Sequence, residues 1–439
     1  MTVVGSRRWI ASLAALTATT ALSIDMSLPA QPAMAREMRV SPDVGQLTLG
    51  LFLAGFAAGQ LLFGYLSDAF GRRRVLLVAL GVFAAGGVLC ALSPGMTTLL
   101  CARVVQGFGA AGGPVLARAM VRDTQPLRSA ARMLATMASA LAVAPLVAPI
   151  IGGFVLSHLG WHAIFVVLAA LGVAFLALAA TSLGETLPPE RRAPLAAGAV
   201  LRNLRVFFGT PGTRIPTALV CLAFAGQFAF IADSPFVLID RFGVRPSEYG
   251  LWFGATALAL MSGATLARHL LRERAASQVV LAGATFLALG GIATTVAVRL
   301  PGAGPVALVA PMLLYFVGVG LTVAPSTALA MDPLPAIAGT ASAVIGGLQM
   351  LTGALAGWAV TRIGGSDPLV LGTWVGGTGV CAATLALVGR PGTRRGARQL
   401  GLRGARSLPG ADASDRACRP GTSPAPPPAH RRSLPGSPR

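Results

Sequence analysis

Three ionisable residues lie where the chain is otherwise apolar: Asp25, Arg103 and Asp233. A charge inside a lipid-spanning segment is costly, so each is a functional candidate by default. Asp25 and Arg103 carry opposite charges. If the first span leaves the membrane near Ala30, Asp25 lies roughly 8 Å inside at the helical rise. If the fourth begins near Met96, Arg103 lies roughly 10 Å inside by the same rise. The sequence therefore predicts a meeting of the two at one depth. Burial alone neutralises a carboxylate and an opposite charge keeps it ionised. A carboxylate under both pulls can load and release a proton as its access changes sides. The bland alternative for Asp25 is a side chain reaching to the headgroups. Asp233 has no evident arginine partner in its half of the chain. It reads equally as a cavity acid or as a residue at the rim.

Two further stretches have suggestive spacing. GYLSDAFGRRRVLL from Gly64 places Asp68 and Gly71 beside Arg72 and Arg73. Glycines permit a tight turn, and the arginines can bind Asp68 or helix-end carbonyls. An ordinary basic turn between two spans would look the same. APLVAPIIGG from Ala144 sets Pro145, Pro149, Gly152 and Gly153 in one apolar run. That combination implies a kinked, closely packed membrane helix.

These residues need elements to hold them, and composition says which. Of 439 residues, 54% are hydrophobic and 11% charged, against about 25% charged in soluble domains. Mean hydropathy is +0.71. One soluble core cannot hide that much apolar surface, so the chain is expected in a lipid bilayer. Runs of about 20 apolar residues mark spanning helices. Twelve are expected, near 9–30, 46–66, 75–93, 96–117, 133–156, 161–182, 214–238, 249–270, 277–298, 305–328, 338–361 and 368–389. The predicted class is an all-α membrane protein of twelve helices in two six-helix repeats, an arrangement common among secondary transporters. The expected organisation is a bundle over 1–182, a central loop over 183–213 and a second bundle over 214–389. A basic, proline-rich, disordered tail follows over 390–439. IADSP at 231–235 parallels IDMSLP at 24–29, which puts Asp233 and Asp25 at related places in the two repeats.

The formal net charge is +20, and every cation is an arginine. Arginines concentrate at the N-terminus, in the turns around 72–74 and 118–132, in the central loop and at 268–274. By the positive-inside rule both termini are cytoplasmic. The same scatter between apolar runs argues against nucleic acid as a partner. Residues 1–35 also resemble a secretory signal ending in Ala-Met-Ala, but Asp25 and Pro29 fit its apolar segment poorly. Cys90, Cys101, Cys221, Cys381 and Cys418 form no metal or disulfide pattern. The histidines do not cluster and there is no phosphate-binding loop, so neither an enzyme nor a cofactor is expected. A polytopic enzyme or receptor is the remote alternative.

The stretches resemble a known family. GYLSDAFGRRRVLL is similar to the signature between helices 2 and 3 of the major facilitator superfamily. RVVQGFGAA from Arg103 resembles its helix 4 signature. APLVAPIIGG resembles the helix 5 antiporter signature, in the form typical of Bcr/CflA-type drug–proton antiporters. The resemblance covers about 1–390. It implies the major facilitator fold and proton-driven efflux of small, mostly apolar molecules by alternating access. The setting it implies is the inner membrane of a bacterium, and the protein is expected to be a monomer. Export of one metabolite or a self-made antibiotic is the second reading on the same scaffold. By the resemblance Asp25 is the proton-coupling acid and Arg103 its partner. Gly64, Asp68, Gly71, Arg72, Arg73 and Asp123 form a latch at the inner gate. Pro145, Pro149, Gly152 and Gly153 form a hinge. Met26, Gln106, Gln227, Phe230 and Tyr315 fall on helices that line the family's cavity, although plain helix packing explains each of them as well. The chain departs from the family with Phe70 in place of a basic residue, His162 in place of arginine, and Asp233 in place of a small residue.

Overall fold

The computed structural model describes residues 6–389, apart from 127–128, 131, 135, 138–142, 193–196 and 365. The tail expected over 390–439, Arg128, and parts of the fifth span and central loop lie outside the described residues. Among the described residues, eleven helices are long and apolar enough to cross a membrane. In chain order they are α1 (Arg8–Glu37), α2 (Pro42–Phe70), α3 (Arg72–Ala91), α4 (Met96–Thr124), α6 (Trp161–Ser182), α7 (Pro211–Arg241), α8 (Pro246–Leu270), α9 (Ala276–Ala297), α10 (Pro305–Met331), α11 (Ala338–Gly364) and α12 (Pro368–Val388). A shorter apolar helix, α5 (Ala144–Leu159), stands at the fifth place. The connector carries a helix of its own, Ala197–Gly209. Val78, Phe154, Val166, Leu258, Leu289 and Val296 point out of the bundle and are exposed. This is the surface a bilayer covers, since lipid is as apolar as they are.

The packing repeats. In the first half α2 and α3 lie on α4, α3 on α6, and α1 on α5. In the second half α8 and α9 lie on α10, α9 on α12, and α7 on α11. The halves meet through α5 against α8 and α2 against α11, which exchange under the same correspondence. The ends of α1 and α7 meet near the symmetry axis.

The first helix of each half changes its winding just past its acid. In α1, helical segments Arg7–Thr17 and Thr19–Asp25 give way to a 3₁₀ turn at Leu28–Ala30, then to Gln31–Glu37. In α7, regular winding stops at Pro235 and a π-helical stretch runs over Phe236–Arg241. Proline removes a backbone donor and crowds the preceding turn. Pro29 and Pro32 each sit in the first turn of a short segment, where that loss costs little. The path therefore continues past Ala30, where the sequence predicted an exit. Asp25 is deeper than expected, roughly 18 Å from the end of α1 by the helical rise.

Candidate functional site

Asp25, Arg103 and Asp233 are all buried. The ion pair predicted between Asp25 and Arg103 does not form. Arg103 Nε donates to the Thr48 carbonyl of α2 at 2.9 Å. One terminal nitrogen donates to Gln106 Oε1 at 2.7 Å and the other reaches Ser27 Oγ at 3.4 Å. The guanidinium also lies 4.4 Å from the centre of the Phe52 ring and 5.5 Å from that of Phe165, a favourable site for a cation. The reason is angular. Ser27 faces Arg103, and Asp25, two residues earlier, points roughly 200° away around the helix. Asp25 makes no hydrogen bond or ion pair among the described residues. The turn just past it, Leu28–Ala30, packs on α7 and α8, where the Tyr249 hydroxyl is 3.0 Å from Ser234 Oγ. This stretch of α1 therefore lies at the seam between the halves.

Asp233 is as deeply buried, at 1% exposure. This places it inside the bundle, off the rim. Thr361 Oγ1 on α11 lies 3.3 Å from its carboxylate.

The turn between α2 and α3 brings its predicted residues together. Arg72 Nε donates to Asp123 at 2.8 Å, and another nitrogen donates to Asp68 and to Ser67 Oγ, the latter at 2.6 Å. Arg73 turns away from Asp68 and caps α6, donating to the carbonyls of Leu183 at 2.9 Å and Ala180 at 2.8 Å. Gly71 has φ +96°, a conformation only glycine takes freely. Gly64 has open space around it, with Val115 at ordinary contact distance. The sequence missed Glu185. Its carboxylate accepts from the backbone N–H of Arg72 at 2.9 Å and of Arg73 at 3.2 Å. A signal was available: α3 opens on three arginines with no acid in its first turn, and a helix N-terminus favours an anion. The whole network belongs to α2, α3, α4 and the end of α6, within one half.

On α5, Pro145 falls in the first turn of the described helix and Pro149 inside it. A Cβ at Gly152 would lie 2.1 Å from the Met26 carbonyl of α1, and one at Gly153 2.3 Å from the Pro246 carbonyl of α8. The two glycines let α5 touch backbone on both sides, once in its own half and once in the other.

The five residues assigned to a cavity do not share one wall. Gln106 is held by Arg103 and the Cys90 thiol. Tyr315 turns toward α7 and α12, with its hydroxyl 3.4 Å from the Ala223 carbonyl and 3.3 Å from Thr378. Phe230 packs edge-on against Phe316 at 5.6 Å. Met26 and Gln227 are buried on α1 and α7. His162 stacks on Trp161 at 3.6 Å, and the Trp161 indole donates to Glu37 at 2.8 Å, which ties the end of α1 to the start of α6.

Among the described residues two ion pairs join the halves, both at the face remote from the N-terminus. Arg36 at the end of α1 binds Asp240 at the end of α7. Arg362 at the end of α11 lies 3.6 Å from Asp43 at the start of α2.

Comparison with known proteins gives the same architecture. Residues 13–357 match the sequence profile of the Major Facilitator Superfamily. The chain is 36% identical over 346 residues to the uncharacterized MFS-type transporter YdgK of Bacillus subtilis, covering 76% of this chain and 83% of that one. It is 29% identical over 357 residues to a bicyclomycin resistance protein homolog of Haemophilus influenzae, covering 81% and 89%. A crystal structure of a D-xylose–proton symporter superposes with a TM-score of 0.69 at 19% identity, over 87% of this chain and 97% of that one.

Proposed function

This chain belongs to the Major Facilitator Superfamily, and from that premise we propose that it exports drugs and other small, mostly apolar molecules in exchange for protons. It is a multi-pass membrane protein and a transporter, not an enzyme. The arginine bias of its loops supports a bacterial inner-membrane orientation with both termini in the cytoplasm. We read it as a monomer made of two six-helix bundles joined by the central loop. The likeness to a bicyclomycin resistance protein homolog favours drug efflux over export of one metabolite.

The observation that carries the reading is Asp25. It is a buried carboxylate without a partner among the described residues. It sits on the helix that α5 touches at Gly152, in the stretch at the seam between the halves. Such a group gains most from a proton when dry and loses it when water arrives. Rocking of one half against the other would alternate the two conditions. Arg103 then acts at one remove, holding the α1 turn through Ser27 and fixing which way Asp25 faces. The Arg72 network keeps the C-terminal ends of α2, α4 and α6 and the start of α3 rigid as one block. The glycines and Pro149 of α5 form the hinge, Met26 and Phe230 supply adaptable apolar lining, and Gln227 adds one polar amide to it.

The test uses everted membrane vesicles carrying the protein and a pH-sensitive dye, challenged with a compound panel. Substrate-induced proton movement with the wild type and none with Asp25→Asn at equal abundance is the expected result. Proton movement that survives in Asp25→Asn removes the residue from the mechanism.

A further inference from the structure

Among the described residues no cation pairs with the carboxylate of Asp233. Its one close partner, Thr361 Oγ1 at 3.3 Å, has its hydroxyl 3.0 Å from the Gly357 carbonyl as well. One hydroxyl proton cannot serve both fully. Arg362, the next residue along, is drawn to Asp43, and Arg36 is drawn to Asp240. Arg103 is spent on Thr48, Gln106 and Ser27. The charge that does reach Asp233 is that of Asp367, another acid.

A second group at the same place is also unfinished. Gln46 of α2 is fully buried, and both its amide oxygen and its amide nitrogen lack partners. It borders the same turn of α11. A Cβ built at Gly357 would meet Gln46 Nε2 at 2.7 Å and Ala232 Cβ, beside Asp233, at 2.8 Å. Buried amides without partners are rare in native proteins because each costs free energy. Three helices, α2, α7 and α11, thus bring an uncompensated anion and an idle amide to one small region. An open cleft of about 380 Å³ lined by Pro42, Phe236, Asp240, Arg241, Ser366 and Asp367 lies one turn further along α7.

We propose that Asp233, Gln46 and Thr361 form a subsite for a protonated amine, so that the transporter prefers amphipathic monocationic amines over neutral compounds. The ammonium would take the Asp233 charge as a charge-assisted hydrogen bond and give a second N–H to Gln46 Oε1. Thr361 would hold the carboxylate in place through its hydroxyl. This rests on the efflux reading and adds the substrate class to it.

The probe is dansylcadaverine, an apolar fluorophore with one aliphatic ammonium, set against its N-acetyl derivative, which is neutral and otherwise alike. Binding is read by fluorescence anisotropy on the full-length protein in nanodiscs, with no proton gradient present. The wild type should bind the amine about tenfold or more tightly than the acetylated compound. Asp233→Asn should erase that ratio, and Gln46→Leu and Thr361→Val should each reduce it several-fold. Binding of the acetylated probe reports that each variant is folded, and Asp233→Glu should restore part of the preference. Equal binding of both probes by the wild type overturns the subsite, as does an unchanged ratio in Asp233→Asn. The efflux reading fails on a separate result, the absence of proton movement with every compound of the panel in vesicles.

Discussion

The two halves share a packing plan and differ in what they do with charge. In the first half a buried acid, Asp25, comes two residues before Ser27, which meets a buried arginine. In the second, Asp233 stands at the related place with only a threonine beside it. The first half also fastens its α2–α3 turn with Arg72, Asp68 and Asp123. At the related α8–α9 turn, Arg272 and Arg274 make no ion pair among the described residues. Duplicated scaffolds can thus divide labour: among the described residues the first half holds its buried arginines on fixed partners and the second half has no buried arginine, while the acids of both halves are left without a cation.

The largest effect should come from Asp25→Asn. Substrate-induced proton release in vesicles should fall about a hundredfold or more, to background. If the two acids were equivalent carriers, the loss would instead be partial, and the contrast between the halves would collapse. Arg103→Leu comes next. It strips partners from the Thr48 carbonyl, Ser27 and Gln106 and leaves polar groups buried, so transport per inserted molecule should drop about tenfold. Arg103→Lys should recover only part of this, because an ammonium lacks the planar fork that spans three acceptors. Full recovery would mean that charge alone matters there.

At the turns, Arg72→Ala should slow transport about three- to fivefold with little change in substrate affinity, since it loosens a block without touching the interior. Labelling of cysteines placed near the N-terminal face should change with it. Arg272→Ala, the related position, should change neither measurement; equal effects at the two turns would show both to be merely topological. The smallest effect belongs to Arg362→Ala. Exposed ion pairs contribute about 0.2–1 kcal/mol, so the balance between the two accessible states should shift by about fivefold at most. Fluorescence transfer between labels at the two faces would read that shift, and high salt should mimic it.

Much of this was legible in the residues. Hydropathy placed most span edges to within a few positions, because about 20 apolar residues are a strong signal against a mean background, but α1 runs to Glu37 and α4 to Thr124, each seven residues past its expected end. The burial of Asp25 and Arg103 followed from where those runs lie. Their pairing did not, because it depended on helical phase at Ser27 and on a helix that continued past Pro29. Gln46 was invisible as a polar group of interest: it opens a span, and nothing in its neighbours shows which helix it will face. Tyr315 was assigned to a cavity from its helix number, whereas its hydroxyl follows the packing of α12. Glu185 sits more than a hundred positions from the arginines it serves, a distance that no local pattern bridges.

The paired glycines of α5 carry one more consequence. Interlocked side chains resist the sliding of neighbouring helices and can force it into jumps of a whole turn, as teeth do in gears. At Gly152 and Gly153 the teeth have been filed off on two flanks of one rod. There α5 can roll against α1 and α8 in small, continuous increments, like an axle in a plain bearing. A Cβ at either position would meet a backbone carbonyl of the neighbouring helix, so any larger residue there would push α5 off α1 or α8.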